Sequence, residues 1–137
     1  MTTDMLILML RLGGALHFGI LIASALVPQV LDWRNELKSL SIVTRQLVWT
    51  HGAFIVLTII GLGAIALLAA PDLASGSLLA RLVCGFIALF WGTRLLLQFV
   101  LFHPEALLTR WYLRAGYHAL TVVFAIITAI FCYAASR

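Results

Sequence analysis

Each of the four long apolar stretches of this sequence holds an ionisable side chain well inside it: His17, His51, Arg94 and His118. Ionisable residues within a membrane-spanning segment are costly and usually mark a function. Neutral imidazoles can bind a metal or a haem iron, and a guanidinium can hold an anionic group. The chemistry of the chain therefore depends on whether these four side chains meet.

The stretches that hold these residues have the length of membrane-spanning helices. Of 137 residues, 64% are hydrophobic and only 10% are charged, against roughly 25% charged residues in a soluble domain. A helix needs about 20 apolar residues to cross a hydrocarbon core of about 30 Å. The sequence therefore predicts a single-domain, all-α integral membrane protein with spans at 5–27, 42–70, 78–102 and 111–135. Short connections favour a four-helix antiparallel up-down transmembrane bundle.

Residues 29–46 are the only extended polar stretch of the sequence, and this stretch overlaps the start of the second predicted span. Its apolar residues recur at helical spacing, which predicts an amphipathic helix. This helix would either lie on the membrane interface or lengthen the second span. Pro28, just before it, is expected to end the first helix or to bend its exit. Trp33 and Trp49 have the positions of interface anchors.

Positive charge is concentrated at one end of the predicted bundle. The net charge is +4, from nine Lys and Arg against five Asp and Glu. We call end B the end of the bundle where span one connects to span two and span three connects to span four. The larger group of basic residues lies there: Arg34, Lys38, Arg45, Arg110 and Arg114. The positive-inside rule predicts end B in the cytoplasm and both termini outside, in a membrane that we expect to be the bacterial inner membrane. No basic stripe is large enough to follow phosphates, so we expect no nucleic-acid partner.

The four ionisable residues are predicted to lie at similar depths. With a helix rise of about 1.5 Å per residue, His51 lies roughly 7 Å from end B, His118 roughly 10 Å, Arg94 roughly 12 Å and His17 roughly 15 Å. The spans contain no Asp or Glu. Arg94 must therefore extend to the interface or hold a bound anion. Trp91 is expected on the same helix face as Arg94.

A haem would supply both an anion and an iron. Its propionates would offset the charge of Arg94, and its iron would take neutral imidazoles as axial ligands. Arg114, on the polar stripe of the fourth helix that also holds His118, is a further candidate for cofactor binding.

The spacing of packed helices selects one axial pair. Neighbouring helix axes lie about 8–10 Å apart, so the diagonal of a square bundle is roughly 13 Å. Two imidazoles and an iron fill a diagonal better than a side. In sequential up-down order the second and fourth helices are diagonal, which predicts His51 and His118 as the axial ligands. His17 would then lie against the macrocycle, a propionate or a substrate.

Three motifs follow one another in the first half of the chain. Leu16-His17 is followed by Pro28, and then, after the polar stretch, by a second helix with the step His51-Gly52. This order resembles the small membrane proteins of the protoporphyrinogen-oxidase and copper-resistance-D type families. Their helical bundles carry intramembrane histidines, some of them haem-binding. The resemblance implies that His17 is also a candidate ligand.

These inferences predict a membrane-embedded haem b protein that acts in electron transfer or oxidoreduction. Beyond the lipid bilayer, its expected partners are a quinone or a redox protein, and it could form a homo-oligomer. Two alternatives stay open: a non-catalytic small subunit of a larger complex, and a zinc enzyme with a three-histidine site at His17, His51 and His118. Each histidine could instead only hydrogen-bond a neighbouring backbone carbonyl.

Overall fold

Helices make up all the secondary structure of the residues that the computed structural model describes, 1–103, 105 and 108–137. The four long helices are α1 (Thr3–Val30), α3 (Ile42–Leu68), α5 (Leu78–Val100) and α6 (Trp111–Ser136). Two short helices, α2 (Trp33–Glu36) and α4 (Ala70–Leu73), lie in the connections. Each long helix has the length and composition needed to cross a membrane. The prediction of an all-α chain with four membrane-length helices is therefore confirmed.

Hydroxyl side chains fix where three of the long helices begin. Thr2, Ser41 and Ser77 each accept a hydrogen bond from the backbone N–H three residues later, at 3.3, 3.2 and 3.2 Å. Such a cap satisfies a backbone donor that the first helical turn leaves without a partner. The observed helices agree with the predicted spans to within three residues at each end.

The end of the first helix differs from the prediction. Helix α1 continues through Pro28 to Val30, so the proline does not end it. Pro28 lies in the last turn, where it removes only one backbone donor, and the Leu31 N–H still bonds to the Val27 carbonyl at 2.9 Å.

The polar connection is also not the single amphipathic helix that its spacing predicted. Asp32 has a φ of 47°, in the left-handed region, which separates α1 from α2. A short 3-10 turn, Leu37–Ser39, follows α2, and Leu40 is extended, with a ψ of 152°. Because the backbone leaves the helical region at Asp32 and Leu40, the periodic side chains do not lie on one continuous helix.

Helix α1 packs against α3 on one side and α6 on the other, and α5 packs against α6. The contact between α1 and α3 is closest at two glycines. A Cβ atom added to Gly14 would lie 2.8 Å from Leu67 Cγ, and one added to Gly63 would lie 2.9 Å from His17 Cβ. In the described part of the chain, α3 and α5 form no extensive backbone contact, and a gap lies between them.

The outer surface of the long helices is strongly apolar. Leu68 is 84% exposed and Leu78 is 73% exposed, and similar side chains occur along all four helices. Water-soluble monomers rarely expose apolar patches of this extent. The surface is compatible with contact with a lipid bilayer.

Candidate functional site

His17 lies at the centre of the helix packing, with 0% of its surface exposed. Its Nδ1–H donates to the Gly13 carbonyl at 2.7 Å, and its Nε2 accepts the indole N–H of Trp91 at 2.8 Å. Because Nε2 is an acceptor, the imidazole is neutral and carries its proton on Nδ1. Both ring nitrogens are engaged, so His17 has no free lone pair for a metal in this arrangement.

Trp91, on α5, connects this buried histidine to α6. Its indole stacks on the Phe124 ring, with centroids 5.2 Å apart and an angle of 20° between the planes. The His17 ring also meets Phe131 edge-on, at 6.1 Å. The position of His17 is therefore fixed by its own helix, by α5 and by α6.

Arg94 lies one helical turn beyond Trp91 on α5 and is half-buried. Its Nη1 is buried and has no hydrogen-bond partner among the described residues. The guanidinium carbon lies 5.1 Å from the centre of the Phe102 ring and 5.3 Å from that of Phe124. These cation–π contacts offset part of the cost of burying the charge, but they do not replace the missing hydrogen bond.

A cavity of about 480 Å³, which we call the Arg94 pocket, lies in the gap between α3 and α5. All four long helices contribute to its wall: Ile20, Ser24 and Val27; Ile55 and Ile59; Trp91, Arg94 and Leu97; Leu120 and Phe124. The wall is mainly apolar, and Arg94 is its charged residue. This combination suits a molecule with an apolar body and one anionic group.

The other two predicted haem ligands lie on the surface of the bundle. His51 is exposed, and its Nδ1–H donates to the Leu47 carbonyl at 2.7 Å. His118 is exposed on the same side of α6 as Val122 and Ala125, which are also exposed. Neither histidine lines the Arg94 pocket. Their role as axial ligands stays a prediction.

The predicted site residues are therefore not gathered at one point. Within the described ranges, no three His, Cys, Asp or Glu side chains lie close enough together to hold a metal ion, so the three span histidines do not converge. Arg114 is exposed, and its Nε donates to the Leu108 carbonyl at 3.0 Å. Of the predicted residues, His17 and Arg94 are linked indirectly, since Trp91 donates to His17 and lines the pocket that contains Arg94.

The sequence analysis did not predict the Trp91 partner of His17 or a second polar contact near the end of α5. Gln98 is buried, its side-chain amide donates to the Thr121 hydroxyl, and its backbone carbonyl accepts from the Tyr117 hydroxyl at 3.3 Å. The available signal was the shared helix face of Trp91 and Arg94, because polar side chains on one face of a membrane helix face other helices.

Comparisons of the chain with protein-family models, with curated proteins and with solved structures found no match. The class of protein is therefore defined by its own architecture. It is an all-α chain with four membrane-length helices and a mainly apolar pocket whose wall includes the half-buried cation Arg94.

Proposed function

We propose that this chain is an integral membrane protein whose helices form an antiparallel up-down bundle, and that its Arg94 pocket binds a lipophilic anion. Haem b is the occupant that we propose, in electron transfer or oxidoreduction.

The antiparallel arrangement is supported by residue pairs that run in opposite directions along neighbouring helices. Between α1 and α3, Gly14 is close to Leu67, whereas His17 is close to Gly63. Between α5 and α6, the Arg81 Nε donates to the Ala135 carbonyl at 3.0 Å, and the later α5 residue Gln98 bonds to the earlier α6 residue Thr121.

The main support for the binding site is that Nη1 of Arg94 is buried and has no hydrogen-bond partner among the described residues. A charged arginine near the middle of a bilayer costs about 2.5–3.5 kcal/mol on insertion scales. The spans supply no carboxylate to offset this cost. A bound anion would pair with the guanidinium, and the apolar wall of the pocket would exclude water from that contact.

Haem b would supply the anion and the apolar body that suit this pocket, but no histidine that could ligate its iron lines the pocket. Its propionates are anions that suit Arg94, and its macrocycle suits the apolar and aromatic wall. When bound, the iron would supply one-electron chemistry, with a quinone or a redox protein as the proposed partner. His17 could become a ligand only if its bond to the Trp91 indole were broken.

The orientation of the bundle is proposed from its basic residues. We expect end B in the cytoplasm and both termini outside, in a bacterial inner membrane. A phosphatase reporter fused after Arg137 should be active, and one inserted near Lys38 should be inactive. Phosphatase folds only outside the cytoplasm, so activity near Lys38 with none at Arg137 would contradict the orientation.

The binding site is tested by replacing the charged side chain of Arg94 with an apolar one. The full chain and Arg94→Leu are purified from membranes, and bound small molecules are measured by absorption and by native mass spectrometry. We expect Arg94→Leu to retain at least about tenfold less anion, because the loss of a charge-assisted hydrogen bond costs about 1.5–3 kcal/mol. Arg94→Lys should retain an intermediate amount, since it keeps the charge without the planar donor array.

Arg81→Leu is the matched control, because it also removes one arginine from α5. Its guanidinium bonds to the Ala135 carbonyl, at the other end of the bundle from the Arg94 pocket. This variant should retain the anion. If Arg94→Leu and Arg81→Leu retain equal amounts and both are fully folded, Arg94 only extends to the interface and the proposed site is wrong.

A further inference from the structure

A second cavity lies at end B, where α1 leaves the bundle and α3 begins. Its volume is about 750 Å³, and its wall includes Trp33, Arg34, Lys38, Arg45 and Trp49. We call it the basic interface pocket. Unlike the Arg94 pocket, which has one charged residue, it has four charged residues in its wall, and it lies between the end of α1, α2 and the first turns of α3.

The cations of this pocket outnumber its acids. Arg34, Lys38 and Arg45 face a single carboxylate, that of Asp32, which leaves a surplus of two positive charges. Asp32 accepts from the Asn35 amide at 2.7 Å, and Lys38 donates to Asn35 at 2.8 Å. Among the described residues, no hydrogen bond engages the guanidinium of Arg34 or Arg45. Two arginines at one cavity are thus available to an anion.

Two tryptophans place this cavity at the level of lipid headgroups. The Trp33 and Trp49 rings meet edge-on, with centroids 5.6 Å apart, and form the aromatic part of the wall. Tryptophan prefers the boundary between headgroups and acyl chains. Val30 and Leu47, which lie near these tryptophans in sequence, are 53% and 51% exposed. Apolar surface therefore continues from the basic interface pocket along α1 and α3.

We propose that the basic interface pocket binds the phosphate headgroup of an anionic phospholipid. The guanidinium of Arg34 or Arg45 suits a phosphate through two parallel N–H···O bonds, and Lys38 adds a further positive charge. The tryptophans contact the glycerol region, and the acyl chains follow the apolar surfaces of α1 and α3. The shared chemistry is a phosphate, and the exposed apolar side chains favour a lipid over free phosphate.

This inference rests on the membrane placement proposed above and not on an occupant of the Arg94 pocket. The full chain in detergent is titrated with phosphatidylglycerol or with phosphatidylcholine of the same acyl chains, and bound lipid is counted by native mass spectrometry. We expect preference for phosphatidylglycerol. The double variant Arg34→Gln/Arg45→Gln should weaken phosphatidylglycerol binding about thirtyfold, since each basic residue contributes about 1 kcal/mol near a lipid surface.

The control Arg11→Gln/Arg81→Gln removes the same charge at the other end of the bundle and should change the affinity by less than about twofold, since charges beyond a Debye length are screened. Equal losses in both double variants would overturn the proposal, as would equal binding of the two lipids. Full displacement by millimolar inorganic phosphate would also overturn it, by indicating a free-anion site.

A second measurement does not depend on changing the arginines. Phosphatidylglycerol with brominated acyl chains should quench wild-type tryptophan fluorescence more than brominated phosphatidylcholine does. The difference should disappear in Trp33→Phe/Trp49→Phe, and its persistence would overturn the proposal. Arg94→Leu should leave phosphatidylglycerol binding unchanged, so failure of the Arg94 site and failure of this site give different results.

Discussion

Gly14→Ala is expected to lower the free energy of unfolding by about 2 kcal/mol, because overpacking a close helix contact typically costs about 1–3 kcal/mol. The added Cβ would lie 2.8 Å from Leu67 Cγ, 3.0 Å from the Leu67 backbone nitrogen and 3.1 Å from the Gly63 carbonyl oxygen. Two of these three atoms belong to the backbone of α3, so a side-chain rotation cannot relieve the contact. The helices must move apart, which also loosens the packing around His17.

Gly19→Ala, on the same helix, should have the opposite effect. No atom lies within 4 Å of a Cβ added there. Alanine should then stabilise α1 by up to about 1 kcal/mol, because glycine is the poorer helix former. Both variants can be compared by unfolding the full chain in bicelles with increasing SDS. Equal changes of the same sign in the two variants would show that α1 and α3 do not approach closely at Gly14.

The positions of the long helices could be predicted because they depend on run length alone. The predicted span 78–102 and the observed Leu78–Val100 differ by two residues, since an apolar run of this length has few other structures available in lipid. The connection at 29–46 was predicted less well. Its periodicity is helical, but the left-handed backbone of Asp32 interrupts it, and nothing in the spacing of the side chains requires that turn.

Only part of the site could be predicted. The depth of each residue in its helix, counted from the sequence, identified His17 and Arg94 as costly residues in one leaflet. This depth does not give the direction in which a side chain points. The Trp91 indole that engages His17 is 74 positions away in sequence, on α5. The depth of His118 fits the predicted axial pair, yet its helix turns it to the exposed side with Val122. Contacts between helices decide these directions.

The haem prediction gives the largest expected change of all, from a coloured to a colourless protein. Two neutral imidazole ligands should give the purified full chain the absorption spectrum of low-spin haem b. If His51 and His118 are the ligands, His51→Ala or His118→Ala should make the iron high-spin or empty the site. His103→Ala is the control, since His103 is exposed beyond the end of α5, and it should leave the spectrum unchanged.

Trp91→Phe separates a structural His17 from a ligand His17. The variant removes the indole donor and leaves the buried Nε2 without a partner, which should cost about 1–3 kcal/mol of stability. If His17 only supports the packing, haem content should be unchanged or lower, and His17→Ala should lower stability without a specific change in the spectrum. If His17 ligates iron, Trp91→Phe should raise haem content by freeing Nε2, and His17→Ala should remove the haem, as the resemblance of the first half of the chain implies. A folded wild-type chain that is colourless and free of metal would refute the haem proposal and favour the subunit alternative, whereas stoichiometric zinc would favour the three-histidine enzyme.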